Sequence, residues 1–129
     1  MRGFKSFLAD EGKLPKHKKI VVSNRFRDEK GEPLLWEIQA IRERENQQIV
    51  RTCKNQDSKE EYWGKLCVAC VVTPNLENKG LGESYGTDSS DGTLKEMLSM
   101  GEYMMLLREV RELNGFAQRA ADLKEEAKN

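Results

Sequence analysis

Along the chain the apolar positions change period twice, and the changes divide it into three stretches. From Lys18 to Ile41 the period is two. Ile20, Val22 and Phe26 fall on one face, with Asn24 as a polar exception, and Val21, Ser23 and Arg25 fall on the other. After the polar segment "RDEKGEP" the alternation returns, with Leu34, Trp36, Ile38 and Ala40 set against Leu35, Glu37, Gln39 and Ile41. Asp28 and Gly31 suit the first and fourth positions of a type I turn, and Pro33 closes the loop where a missing N–H does little harm. The pattern predicts an antiparallel β-hairpin over 18–41 with one apolar face. A lone ribbon is marginal in water, so it must lie on something.

The remainder is helical in period. "IRERENQQIVRTCK" carries a narrow stripe of Ile41, Ile49 and Cys53, with Val50 alongside and no clear N-cap. "EEYWGKLCVACVV" is apolar nearly all round, which predicts a central buried helix ended by Pro74. Residues 75–92 are rich in glycine, serine and acids and read as a long loop, of the kind that is functional or mobile. Thr93 and Glu96 have capping-box spacing, with Leu94, Met97 and Leu98 facing inward and Gly101 as a breaker. From about Glu102 a further helix places Tyr103, Leu106, Leu107, Val110 and Leu113 on one stripe, and Asn114-Gly115 stops it. Before the hairpin, Phe4, Phe7 and Leu8 form a short amphipathic turn that Gly12 and Pro15 set apart. The expected fold class is α+β: an N-terminal antiparallel hairpin packed on a mainly helical part of about four helices. The chain reads as a single domain, with an arm over 1–16, the hairpin over 18–41, helices over 42–116 and a fraying tail over 117–129.

Composition narrows the function. Charged residues make up 34% of 129 residues, against about 25% in an average domain, so the surface is thickly charged. Lysine plus arginine and aspartate plus glutamate each total 22, a net charge of zero that argues against a nucleic-acid partner. The Lys16–Lys19 cluster reads as solvated charge ahead of the first strand. The run Leu66–Val72 is far shorter than the ~20 residues that span a bilayer, so no membrane association is expected. With no apolar signal segment at the start and three cysteines in no secreted spacing, a cytoplasmic location with reduced thiols is expected.

Candidate chemistry is sparse. Cys67 and Cys70 form a CxxC, but inside an apolar helix instead of at a helix N-terminus, so structural thiols are the expectation. A zinc site would need further ligands, and Cys53 and His17 are distant in sequence and unpaired. Setting Gly92 at the sixth position of a calcium loop places Thr87 first and Leu98 twelfth, neither an acid. His17 has no partner within its own segment. No catalytic, cofactor or metal residue is therefore assigned; the work is expected to be binding, not catalysis. Leu35, Ile41, Met104 and Met105, apolar residues beside the expected core faces, are the expected partner contacts.

In order and spacing, "VSNRFRDEKGEPLLWEIQAI", "RERENQQIVRTC", "LCVACVVTPNLEN", "LGESYG" and "MLSMGEYMMLLREVRELNGF" resemble the XkdN-like tail assembly chaperones of contractile-tailed phages and phage-like elements. The resemblance spans roughly residues 4–117. It implies a chaperone in the bacterial host cytoplasm that coats and solubilises the tape measure protein, helps recruit tail tube subunits, self-associates and is absent from the mature particle. It also implies a longer frameshifted form. Ala127-Lys128-Asn129 can be encoded GCA AAA AAC, which contains an A-AAA-AAC slippery heptamer. Two other readings compete: a structural component of the tail or baseplate, and a small redox or zinc protein using Cys67 and Cys70.

Overall fold

The computed structural model describes residues 2–116. Among these residues, six helices and three short strands follow in the order α1 (Arg2–Lys5), β1 (Lys18–Ile20), β2 (Trp36–Ile38), α2 (Glu43–Thr52), α3 (Glu60–Cys70), β3 (Val71–Thr73), α4 (Lys79–Ser84), α5 (Ser90–Met97) and α6 (Met100–Leu113). The expected tail over 117–129, with codons 127–129, lies outside the described residues. The fold is α+β, with a sheet on one side of a helical layer.

β1 and β2 pair antiparallel, Lys18 opposite Ile38 and Ile20 opposite Trp36. This is the base of the expected hairpin, and its period of two buries Ile20, Trp36 and Ile38. The tip also forms as expected, with the Gly31 N–H donating to the Asp28 carbonyl at 3.0 Å. Between base and tip the ladder is interrupted. Val22 and Ser23 are both buried, which an alternating strand forbids, and Leu34 is exposed on the face expected to be inward. Arg25 accounts for the departure: its guanidinium reaches the Met97 carbonyl at 2.6 Å and Glu102 at 2.5 Å, drawing this segment onto the junction of α5 and α6.

The sheet has a third strand. Val71–Thr73 were expected within the buried helix, but α3 ends at Cys70 and the chain runs on as β3 beside β2, Ile38 opposite Val71. A Val-Val-Thr run fits a pleated strand, and Pro74 keeps the residue before it extended. The expected loop over 75–92 is also structured. Leu76 is buried, Asn78 caps α4 by accepting from the Leu81 N–H at 2.9 Å, and α5 starts at Ser90.

Two helix starts lie elsewhere than the caps and breakers predict. Ser89, not Thr93, caps α5 by accepting from the Gly92 N–H at 3.2 Å. Thr93 is buried, with its hydroxyl on the Ser89 carbonyl at 2.9 Å and beside Thr87 at 2.5 Å. Gly101 is no breaker, because α6 begins at Met100 under a capping box: the Ser99 N–H donates to Glu102 at 2.8 Å and the Glu102 N–H to Ser99 Oγ at 3.3 Å. The stripe of α6 is as expected, with Leu106, Leu107 and Val110 buried. Asn114 and Gly115, at φ +89°, stop the helix. The core lies between the sheet and α3, α5 and α6, filled by Trp36, Ile38, Leu66, Leu94, Leu106 and Val110.

Candidate functional site

Cys67, Cys70, Cys53 and His17 each have a place in the packing or hydrogen bonding of the fold. Cys67 and Cys70 are fully buried at the C-terminal half of α3, where no helix dipole favours a thiolate. Burial pushes Cys67 up to about 12 and Cys70 up to about 11. Cys53 lies half-buried just past α2, its thiol directed at the Ile49 carbonyl at 3.4 Å. His17 does have a partner, supplied by the fold: its Nδ1 lies 2.8 Å from Glu37 on the exposed side of the sheet. Among the described residues, no three His, Cys, Asp or Glu side chains stand close enough to hold a metal ion. Among the same residues, no helix is long and apolar enough to cross a membrane.

The apolar surface is organised differently. On α6, Met100, Met104 and Arg111 follow one another at i, i+4 and i+11, beside the core stripe and turned away from it, with the buried Leu107 where the two faces meet. Met100 is 84% exposed and Met104 58%. Together with Trp63, Leu98, Tyr103 and Leu107 they line a groove of about 650 Å³ between α3, α5 and α6. Glu60, Lys95 and Arg111 stand at its margin.

Trp63 is the wall of this groove. Its ring meets Tyr62 edge-on at 5.0 Å and Phe116 at 6.2 Å, and the Arg111 guanidinium covers it at 4.9 Å. On its other side a smaller groove of about 310 Å³ runs towards α2, with Val50, Cys53 and Tyr62 along it. Burial raises the Tyr103 hydroxyl to about 12, so it stays protonated and neutral in the larger groove.

The expected contact residues do not form one patch. Met104 lies in the groove. Met105, one residue on, points about 100° away round α6 and packs half-buried against the core. Ile41 is half-buried between β2 and α2, its N–H donating to Asn114 at 3.0 Å, and Leu35 is exposed before β2. Sequence reasoning missed Trp63 and Met100. A helix apolar all round does not announce which aromatic faces out, but α6 did carry a signal. Two adjoining apolar stripes on one helix are wider than a single core can cover.

Known proteins match most of this chain. A family model described as "Phage XkdN-like tail assembly chaperone protein" matches residues 4–128. The phage-like element PBSX protein XkdN of Bacillus subtilis (strain 168) is 31% identical over 124 residues, which cover 86% of this chain and 83% of XkdN. Protein YqbN of the same strain, described as uncharacterized, is 32% identical over 123 residues, 85% of this chain and 82% of YqbN. The crystal structure of YqbN superposes with a TM-score of 0.78 over 86% of this chain and 94% of that one, at 24% identity, and so supports the fold. The chain belongs to the XkdN-like phage tail assembly chaperones.

Proposed function

We propose that this chaperone binds and solubilises the tape measure protein in the bacterial host cytoplasm and helps recruit tail tube subunits. It then leaves before the contractile tail is complete. The observation that carries the reading is the groove of Trp63, Met100 and Met104, an apolar surface left uncovered among the described residues. A tape measure is a long helical client with apolar faces and no partner until the tube encloses it. A helix laid in a groove meets that need, and methionine side chains adjust to successive segments of differing shape. Each contact is weak, and many copies along one client add up through effective concentration. Tube subunits then displace the chaperone by competing for the same client faces. Met104 is the central contact in this scheme, with Leu35, Ile41 and Met105 at secondary positions.

Co-expression with the tape measure protein of the same genetic element tests the reading. The wild-type chain should move the tape measure into the soluble fraction, and Met100→Glu with Met104→Glu should return it to the pellet. A tape measure equally soluble with that variant, or soluble without any chaperone, overturns the reading. Mass spectrometry of purified tails should lack this chain. Stoichiometric recovery there would make it a tail component instead.

A further inference from the structure

α2 is held differently from the helices around it. α3, α5 and α6 each bury three or four residues, whereas α2 buries none of its ten. Of its two apolar side chains, Ile49 is half-buried and Val50 is 41% exposed. Arg42 stands at its N-cap, a side chain with no oxygen to accept from a backbone N–H. Polar contacts tie the helix down instead. The Tyr62 hydroxyl donates to Asn46 in the middle of α2. At the far end Lys65 Nζ donates to the Thr52 carbonyl at 2.8 Å, and the Lys54 and Asn55 N–H groups donate to Glu61 at 2.8 and 3.0 Å. Bonds of this kind near the surface exchange for bonds to water, so each adds little net stability.

The packing around α2 is open. Besides the groove of about 310 Å³, cavities of about 350 and 440 Å³ border it. From the side of α3 they are lined by Tyr62, Leu66, Val68 and Ala69. Tyr62, Leu66 and Ala69 stand at i, i+4 and i+7 and so form one apolar stripe, against which α2 sets Ile49. The stripe begins next to Trp63, the wall of the larger groove. With α2 lifted, the apolar surface continues from Met100 and Met104 past Trp63 to Ala69.

We propose that α2 is a placeholder: it lifts off α3 as a unit, and an amphipathic helix of the client takes its seat on Tyr62, Leu66 and Ala69. The occupant is a helix with apolar side chains at i, i+4 and i+7, which fills the cavities that Ile49 leaves open. Segments with few buried apolar contacts open at far lower cost than a core does, and α2 meets that description. Residues 40–42 before α2 and the polar segment 53–58 after it serve as hinges. When closed, α2 shields the stripe from water until a better-fitting helix arrives. Client affinity is reduced by the fraction of molecules whose seat is open, so a change that loosens α2 tightens client binding by the same factor. The inference rests on the client being an apolar helix, as in the function proposed above, and adds where on the chaperone that helix comes to lie.

Hydrogen exchange on the full-length chain, read by mass spectrometry, tests it. A helix as short as α2 is marginal alone in water, so its amides exchange whenever it lifts. In the free protein they should exchange on the order of a hundredfold faster than those of α3 and α6, at a rate that low urea leaves unchanged. A synthetic amphipathic helix with leucines at i, i+4 and i+7 should strip the remaining protection from α2 and leave α3 protected; a scrambled peptide should do neither. Two variants, Asn46→Ala and Ile49→Ser, alter α2 and leave the stripe on α3 intact. Each should speed exchange in α2 alone and lower the Kd of the leucine peptide by the same factor, about fivefold for Asn46→Ala. Exchange of α2 in step with α3, a peptide that leaves α2 unchanged or better protected, or a variant that loosens α2 yet weakens the peptide each overturns the proposal. If the chain keeps the tape measure soluble while α2 gains protection in that complex, the seat falls and the chaperone reading stands. If the peptide frees α2 while the tape measure is soluble without the chaperone, the converse holds.

Discussion

Arg25 shows how one largely exposed side chain sets the geometry of a distant helix. Its guanidinium donates to the Met97 carbonyl, where α5 ends, and to both oxygens of Glu102, which closes the capping box of α6. Arg25 first, then the Ser23 hydroxyl and the Ser99 N–H, hold the Glu102 carboxyl down at about 2. Its ordinary value is 4.5, so the folded value lies below the unfolded one. The stabilisation is complete above about pH 4.5 and is lost as pH falls towards 2. Glu102→Gln should therefore flatten urea-unfolding stability between pH 5 and pH 2; an unchanged slope would remove Glu102 as the source. The cysteines give a second test at this scale. With Cys67 at about 12 and Cys70 at about 11, both buried, a thiol reagent at pH 8 should label Cys53 in the native protein and the other two only as it unfolds. Rapid labelling of all three would show a CxxC open to redox chemistry.

At the scale of elements, helix starts depend on which serine or threonine hydroxyl is free to turn back onto the chain. Thr93 has the right spacing to Glu96, yet its hydroxyl is spent inside, on Ser89 and Thr87. Ser89 and Ser99 cap the two helices that flank the groove. Ser89→Ala should cost about 1 kcal/mol in urea unfolding, the usual worth of a cap. Thr93 also lies against Gly82 of α4. A Cβ on Gly82 would sit 3.2 Å from the Thr87 carbonyl and 3.3 Å from Thr93 Oγ1, so Gly82→Ala should destabilise although alanine favours a helix. A neutral result would mean that the turn between α4 and α5 gives way.

For the whole molecule, α6 divides its labour between two stripes about 90° apart. Leu106 is wholly buried, and Leu106→Ala should cost about 3 kcal/mol, the middle of the range for core leucines. Met104, two residues earlier and 58% exposed, should lose less than about 0.5 kcal/mol on Met104→Ala. Equal losses in urea unfolding would mean that the groove is part of the core. On the proposed function, this separation lets the binding surface change without weakening the fold.

The residues themselves determined what local spacing controls. The Ile20/Trp36/Ile38 face, the Leu106/Val110 stripe, the stop at Asn114-Gly115 and the burial of Cys67 and Cys70 all follow from period and residue type, which act over a few positions. So does the order of segments that carries the family. Of the groove, only Met104 was legible, as an apolar residue beside a stripe. Tertiary structure decided the rest. Val71–Thr73 became a strand because β2 offered an open edge, and Thr93 lost its cap because Thr87 and Ser89 compete for its hydroxyl. Trp63 became a wall because α6 brought Arg111 over one face and Phe116 to its edge. β3 and Trp63 depend on partners from far along the chain, and Thr93 on which neighbouring group folds back onto its hydroxyl; no period in the sequence encodes which partner arrives.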